Sequence, residues 1–477
     1  MRYTVDVKDY GNYDVVVCGG GTAGAFAAIA AAREGAKTLI IERSFAVGGM
    51  LTIGNAGITK FTEHCNSADK YKSEVLDALS SNPRSVQVVG GIPLEYVNRM
   101  LKEKTALGTH GEAGSYVFTD MCEARWVLMD MLEEAGAEVL YDTRICDVLK
   151  DGDRITDIIV CNKDGFSKIT AESFIDATGD GDVAALAGAP FNKGATKEDV
   201  EEGGAKDVGD MIYFGTMYRV RNVDFEKLFD WLEKNPDEFL EHRFGVMTLE
   251  NVRESHRNGE MCVFRFYVDT PDMGRLAVQV YNLPQKDEAI LLSKYCAFMG
   301  GDGLDARSLS RGQEGLHKGV RRMNKLLEKI PGFENITTLF VPDAGVRETR
   351  HIIGEYTLTA LDVMSGKEFE DSIGCGGHPV DIDTIPDEIR NAPMNHWRFF
   401  IPYSIMVPKK VDNLLITGRC VSATRIASGA IRPTAQCMVM GEAAGTAAAL
   451  ATKNKVSCRS LDTKLLRKVL KDNNVVC

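Results

Sequence analysis

The chain has 477 residues, 44% of them hydrophobic and 26% charged, with a net charge of −12. That length supports two or three domains and a large core, no apolar run reaches the roughly 20 residues of a membrane span, and the acid excess disfavours nucleic acid as the main partner. The polar, acidic start MRYTVDVKDYGNYD lacks the basic and apolar regions of a secretory signal, and the 12 cysteines form no C-x-x-C or metal-finger spacing; the expectation is a reduced, cytoplasmic protein with no metal site, iron–sulfur cluster or disulfide shuttle.

The first element signature runs from Tyr13 to Glu42. An apolar strand (Val15, Val16, Val17) enters Gly19-Gly20-Gly21-Thr22-Ala23-Gly24, an alanine-rich helix follows, and a second apolar strand (Thr38 to Ile41) ends on Glu42 and Arg43. Strand, glycine turn, helix and terminal acid together form the dinucleotide-binding fingerprint. Gly19 permits the tight turn, Gly21 lets the backbone approach a pyrophosphate, and Gly24 lets the helix pack on the strand. The phosphates are expected at the helix N-terminus, beside Thr22 and Ala23, where unpaired N–H groups and the dipole favour negative charge. Glu42 stands about 20 residues beyond the turn, where a carboxylate accepts from ribose hydroxyls.

A second glycine-rich stretch, FAVGGMLTIGNAGIT, comes next. Helices are expected over Ser67–Ser80, over Leu94–Lys104 after the Gly90-Gly91 turn, and over Asp120–Ala135, stopped by Gly136. The segment AEVLYDTRICDVLKDGDRITDIIVCN alternates like strands, and Phe174–Thr178 reads as a short strand entering ATGDGD. From about Ala195 the character changes. MIYFGTMYRVR, MCVFRFYVD and RLAVQVYNL read as antiparallel strands, LFDWLEKNPDEFL and AILLSKYCAFMGG as helices, and Ser308–Ile330 as a long basic helix. Nucleotide-fold character returns with the buried strand VDNLLITGRC and a helix that starts at Pro433, whose small residues (Gly441, Ala444, Gly445, Ala448) fall at helical spacing. The fold class is therefore α/β: a discontinuous Rossmann-like nucleotide-binding domain over residues 1–194 (with a helical excursion at about 60–118) and 336–477, interrupted by an α+β substrate or cap domain over 195–335.

Four segments carry a family resemblance: CGGGTAG with Glu42; DATGDGDVAALAG from Asp176 to Gly188; VRETRHIIGEYTLTALDV from Val346 to Val363; and the stretch from Ile401 to Ala451. By these the chain resembles the FAD-dependent oxidoreductase family within the glutathione-reductase-type flavoprotein superfamily. The resemblance implies FAD as the held cofactor. It implies Gly179 near the pyrophosphate, with Asp180 and Asp182 binding ribityl or ribose hydroxyls or capping the next helix. It further implies backbone contacts from Ile145 or Cys146 to adenine, and Gly418 and Arg419 near the cofactor. Gly48, Gly49 and Met50 would pass by the flavin's reactive face, with Thr52 and Asn55 as hydrogen-bonding candidates. The N-terminus of the last helix, after Arg432 and Pro433, would point at the pyrimidine end of the ring, where a dipole and a cation stabilise the charge of the reduced state.

Substrate chemistry is expected from other residues. Arg347 and Arg350, three apart and sharing a face if helical, suit a carboxylate or a developing enolate; the plain alternative is a salt-bridge network with Glu348 and Glu355. His351 and His378 are acid–base candidates, against ordinary structural hydrogen bonding. Relatives are expected to carry histidine where this chain has Asp383. Tyr403 is a donor candidate or a residue packed at a domain seam. Cys375 with His378 is too small a set for a metal site, and His64 and Cys65 have no assigned role. The function expected is hydride transfer between FAD and a small polar, carboxylate- or hydroxyl-bearing metabolite. No second dinucleotide fingerprint is evident, so a separate electron donor or acceptor is anticipated, and a homodimer on symmetry grounds. The rival readings are a tRNA-modifying flavoprotein, a flavin-dependent isomerase or hydratase without net redox change, and an FAD-binding electron-transfer subunit.

Overall fold

The computed structural model describes residues 4–59, 62–64, 85–109, 112–240, 248–378, 380–382 and 398–477. The helix expected over 67–80 lies outside the described residues, as do Cys65 and Asp383.

The nucleotide fold is a seven-stranded sheet built around β1 (Val7–Cys18). On one side β1 pairs in parallel with β2 (Thr38–Ile41), and β2 with Glu138–Leu140. On the other side it pairs in parallel with Gly165–Asp176, whose last residues also pair in parallel with Leu414–Ile416. The expected short strand at Phe174 is thus the buried end of a 12-residue strand. Its first half is the inner arm of an antiparallel meander with Arg154–Asn162 and Arg144–Asp151, the last of these at the sheet edge. Half-buried polar positions in that half, such as Lys168 and Thr170, obscure its length in the sequence.

Helix α1 (Thr22–Arg33) packs against the long helix Thr434–Asn454. A Cβ on Gly441 would lie 2.2 Å from the carbonyl oxygen of Ala23, and one on Gly445 would lie 2.0 Å from that of Ala27. Both contacts advance along the two helices together, so the helices run parallel with backbones touching. The small residues are needed by this crossing, as the sequence pattern suggests. The long helix starts seven residues before Gly441, whereas α1 starts one before Ala23. Its N-terminal end therefore projects about 9 Å beyond that of α1, at 1.5 Å per residue.

The excursion contributes the helix Gly91–Glu103 and an antiparallel set, Ile58–Thr59, Glu112–Thr119 and Ala106–Thr109. The first turn of the Gly91–Glu103 helix has no side-chain cap of its own. Glu442, 1% exposed in the middle of the long helix, supplies one: both its oxygens accept from the Ile92 N–H. Burial pushes this carboxyl up to about 8. The helix Met121–Ala135 is capped by Asp120 and stopped by Gly136 at φ 79°, as expected.

A second core, formed by residues between 218 and 333, lies under an antiparallel six-stranded sheet. Its strands lie in the order Phe239–Leu240, Val263–Thr270, Gly274–Asn282, Ala289–Leu292, Tyr218–Arg221, Thr337–Phe340. The helices Phe225–Lys234 and Ala306–Leu327 bury Phe225, Leu228, Phe229, Leu232, Val320, Met323 and Leu327 in this core. The expected helix over AILLSKYCAFMGG is instead the strand Ala289–Leu292 followed by a short 3-10 turn, Lys294–Cys296. A buried apolar run of four has no period to read, and two waiting strand edges decided it. Arg219 ties this sheet to the helix Met121–Ala135, reaching its cap Asp120 at 2.8 Å and pairing also with Glu288.

Candidate active site

The glycine turn after β1 has the conformation its spacing demands. Gly19 sits at φ 102°, and a Cβ there would lie 2.6 Å from the Ala177 carbonyl oxygen; a Cβ on Gly24 would lie 1.8 Å from the Gly19 carbonyl oxygen. Gly21 has nothing within 4 Å of its Cβ direction, so the turn opens onto free space there. It is also the N-cap of α1, whose first turn receives no side-chain capping bond. Donors and dipole thus face an open cradle. Glu42 is buried at the end of β2 and accepts from the N–H of Gly20 (2.8 Å) and of Ser44 (2.7 Å). The carbonyl of Glu42 accepts from Thr143, two residues before half-buried Ile145, while Arg43 is exposed. The loop of Gly49 and Met50 folds over the turn: Gly48 N–H donates to Gly20, and Thr22 Oγ1 donates to Gly48.

The segment after Gly165–Asp176 meets the turn from the other side. Asp176, fully buried, accepts from the Thr178 N–H and hydroxyl and from the Ala184 N–H, and burial raises its carboxyl to about 6. It holds the bend in which Gly179 takes φ 78°. Neither Asp180 nor Asp182 makes a helix-capping bond. Asp180 accepts from Arg419 and from Thr349 Oγ1 (2.8 Å), and Asp182 pairs with Arg350 at 2.8 Å. Gly418, before Arg419, has φ 84° and lies against Ala23.

Where the long helix begins, a cavity of about 510 Å³ opens towards the six-stranded sheet. Arg432, Pro433 and Thr434 line it at the helix start, with Arg347, Arg419 and His378 beside them. Arg432 reaches Asp381, at 2.6 Å from its carbonyl oxygen and 3.1 Å from its carboxylate, and burial lowers its guanidinium from the ordinary value. The ring of Tyr213 lies 4.8 Å under the Arg347 guanidinium. The opposite wall comes from Glu112–Thr119 and the cap sheet, through Tyr116, Phe118, Leu276, Gln279, Tyr281 and Leu292. Met50 and the Gly54–Gly57 stretch close one side.

The expectation for Arg347 and Arg350 needs correction. They share no helix: Arg350–Ile352 is a strand paired with Phe191–Lys193. Arg347 lies before this strand, in the segment leading into it, and the two arginines go to different places. Arg347 lines the cavity, whereas Arg350 lies outside it against Asp182 and the Phe191 ring. His351 is also outside the cavity lining. It is buried, with Nε2 at 3.1 Å from Glu348, whose carboxylate also receives Arg425 and the Ile212 N–H. Burial would raise the Glu348 carboxyl, but His351 and Arg425 hold it down at about 2. The anticipated salt-bridge network therefore exists with other partners, Arg425 for Glu348 and Arg459 for Glu355. Thr52 and Asn55 are turned to structural use, on the Val47 and Met217 carbonyls. Tyr403 is buried with its hydroxyl on Cys458 O, a seam residue. Cys375 is buried in a strand, and among the described residues no cluster could hold a metal.

The sequence reading missed Asp381, Arg265, Gln279 and the aromatic group Tyr116, Phe118 and Tyr281. For Asp381 a signal existed, its place three residues after His378; the aromatics look like ordinary strand residues in the sequence.

A model of the FAD dependent oxidoreductase family matches residues 14–470, and the chain belongs to that family. Among its relatives, a digeranylgeranylglycerophospholipid reductase from Picrophilus torridus is 30% identical over 171 residues, covering 35% of this chain and 39% of that protein. An NADH:fumarate oxidoreductase from Klebsiella pneumoniae is 29% identical over 195 residues, covering 35% of this chain and 20% of that protein. The matched stretches thus cover less than half of either relative. A solved geranylgeranyl bacteriochlorophyll reductase-like protein from Thermoplasma acidophilum shares 12% identity with a TM-score of 0.43, over 97% of this chain and 83% of that one. Among the described residues no helix is long and apolar enough to cross a membrane.

Proposed function

We propose that the chain transfers a hydride between FAD and a carboxylate-bearing substrate held in the cavity at the start of the long helix, on a fold of the glutathione-reductase type. The observation that carries this reading is the gathering of Arg347, Arg419, Arg432 and His378 at that helix N-terminus. The residues around the glycine turn fit FAD: the open space at Gly21 and the uncapped first turn of α1 suit a pyrophosphate. In this reading Gly19, Gly21, Thr22, Ala23 and Gly24 hold the phosphates. Glu42, with lone pairs beyond those its two N–H partners use, takes the ribose. Ile145 and exposed Arg43 flank the adenine, and Gly49, Met50, Gly179, Gly418 and Arg419 border the remainder. Asp180 acts through Arg419, which it orients.

FAD, when bound, supplies the two-electron chemistry. The chain's own residues do the rest. The first turn of the long helix and Arg432 present positive potential where negative charge develops. Arg347, braced on Tyr213, anchors a substrate carboxylate. His378, 5% exposed at the cavity wall, is the group placed to move a proton. The assignment thus shifts from His351 to His378 and keeps Arg347 and Arg432. Fumarate, in the name of the Klebsiella relative, is itself a carboxylate.

The test is an anaerobic screen of carboxylates and alcohols against the FAD-loaded enzyme, following bleaching of the flavin band. Arg347→Ala should lower kcat/KM about ten- to hundred-fold with the substrate found, the loss of one charge-assisted bond. Unchanged kinetics would remove Arg347 from the site.

A further inference from the structure

Resting on that reading, we propose that the substrate is a monoanionic amphiphile, a carboxylate joined to an extended apolar or aromatic body, rather than a small polar metabolite. The argument begins with volume. The cavity measures about 510 Å³, in the range of sites for drug-sized ligands. A four-carbon acid fills roughly the space of three or four waters, about 100 Å³. A three-ring group entering from the helix end would take on the order of 200 Å³. More than a small acid's volume would remain, and a polar metabolite there would leave apolar wall in contact with trapped water.

The second argument is the division of the lining. The cations Arg347, Arg419 and Arg432 come from the nucleotide-fold side, with His378. Facing them stand Tyr116, Phe118, Met217, Tyr281 and Leu292. Phe118 and Tyr281 are in ring contact at 4.4 Å, and Tyr116 stacks on Phe118 at 6.1 Å. These three rings belong to a small core of their own, with Met261, Val263, Leu283 and Ile290 behind them. The aromatic wall is therefore backed by packed side chains and is rigid. Cross-strand register explains its continuity: Gln279 stands opposite Leu292, and Tyr281 two residues further along the same strand and face. Arg265 and Lys294, which also reach this wall, are engaged in interactions of their own. One pole is thus cationic and the other mainly aromatic and aliphatic, with Gln279, Arg265 and Lys294 set among the apolar side chains, the arrangement that recognises a headgroup and a tail.

Calorimetric titration of the FAD-loaded enzyme with butanoate, hexanoate, octanoate and decanoate tests this. Affinity should rise about fourfold per methylene, the fold-change that ~0.8 kcal/mol per buried CH₂ gives, until the cavity is full. Octanamide should bind at least tenfold more weakly than octanoate, and succinate more weakly than hexanoate. Leu292→Asp should flatten the chain-length dependence; if that variant fails to fold, Met217→Gln serves the same purpose. Affinity independent of chain length, succinate as tight as octanoate, or octanamide equal to octanoate would each overturn the proposal. If long carboxylates bind with the expected series but no amphiphilic acid ever exchanges electrons with the flavin, the hydride reading fails and this inference stands.

Discussion

The crossing of α1 with the long C-terminal helix and the cavity at that helix's start are adjacent, yet they are built on opposite principles. At the crossing, backbone meets backbone, and Gly441 and Gly445 are there because no side chain fits. At the cavity, side chains from at least six separated segments converge, and no backbone conformation announces them. The helix crossing is therefore a problem of excluded volume, whereas the cavity is a problem of assembly.

The largest expected effect concerns the assembly side. Glu348→Ala would leave Arg425, 3% exposed, without its anion and should cost about 3–5 kcal/mol in urea unfolding. Wild-type Glu348 carries a depressed folded-state value, about 2 against an ordinary 4.5. Its contribution to stability is thus present above the ordinary value and is lost as pH falls towards 2. A variant whose acid unfolding matches wild type would show that the Glu348 hub does not hold the cavity wall. Gly441→Val, at the crossing, should cost about 3 kcal/mol and strip flavin from the purified protein, because the clash is with backbone that cannot move aside. If it folds with full flavin content, the contrast between the two regions collapses.

Glu442→Gln separates helix packing from charge. The folded-state carboxyl is raised to about 8 by burial. Between the unfolded value near 4.5 and 8 the native state therefore holds a proton that the unfolded chain releases, so wild-type stability falls with rising pH across that window. The glutamine keeps an acceptor for Ile92 and does not titrate. Its melting temperature relative to wild type should climb from pH 5 to pH 8, and a constant difference would mean that Glu442 is ionised throughout. The smallest effect belongs to Arg350→Ala. Arg350 is half-buried on Asp182 and outside the cavity, so the change should cost no more than about 1 kcal/mol and leave kcat/KM within twofold. A hundred-fold loss would return Arg350 to the catalytic group.

The fold of the nucleotide half was legible because its constraints are local. A glycine turn, a strand of valines and an acid at the next strand's end each report a backbone requirement at that position. Small residues at helical spacing in Gly441–Ala448 likewise report a close neighbour without saying which. The strand Ala289–Leu292 and the strand Arg350–Ile352 were misread because four or three residues carry no usable period, and their pairing edges lie far away in the chain.

By itself, the sequence determined the glycine turn, the parallel sheet around it and the small-residue face of the last helix, since excluded volume and hydrogen-bond direction act between near neighbours. Only the tertiary structure decided that Arg347 and not Arg350 faces the cavity, that His378 and not His351 stands at its wall, and that an aromatic surface closes it. Those outcomes depend on strand register and on which segments two folded layers bring together, and neither is written in any one stretch of residues.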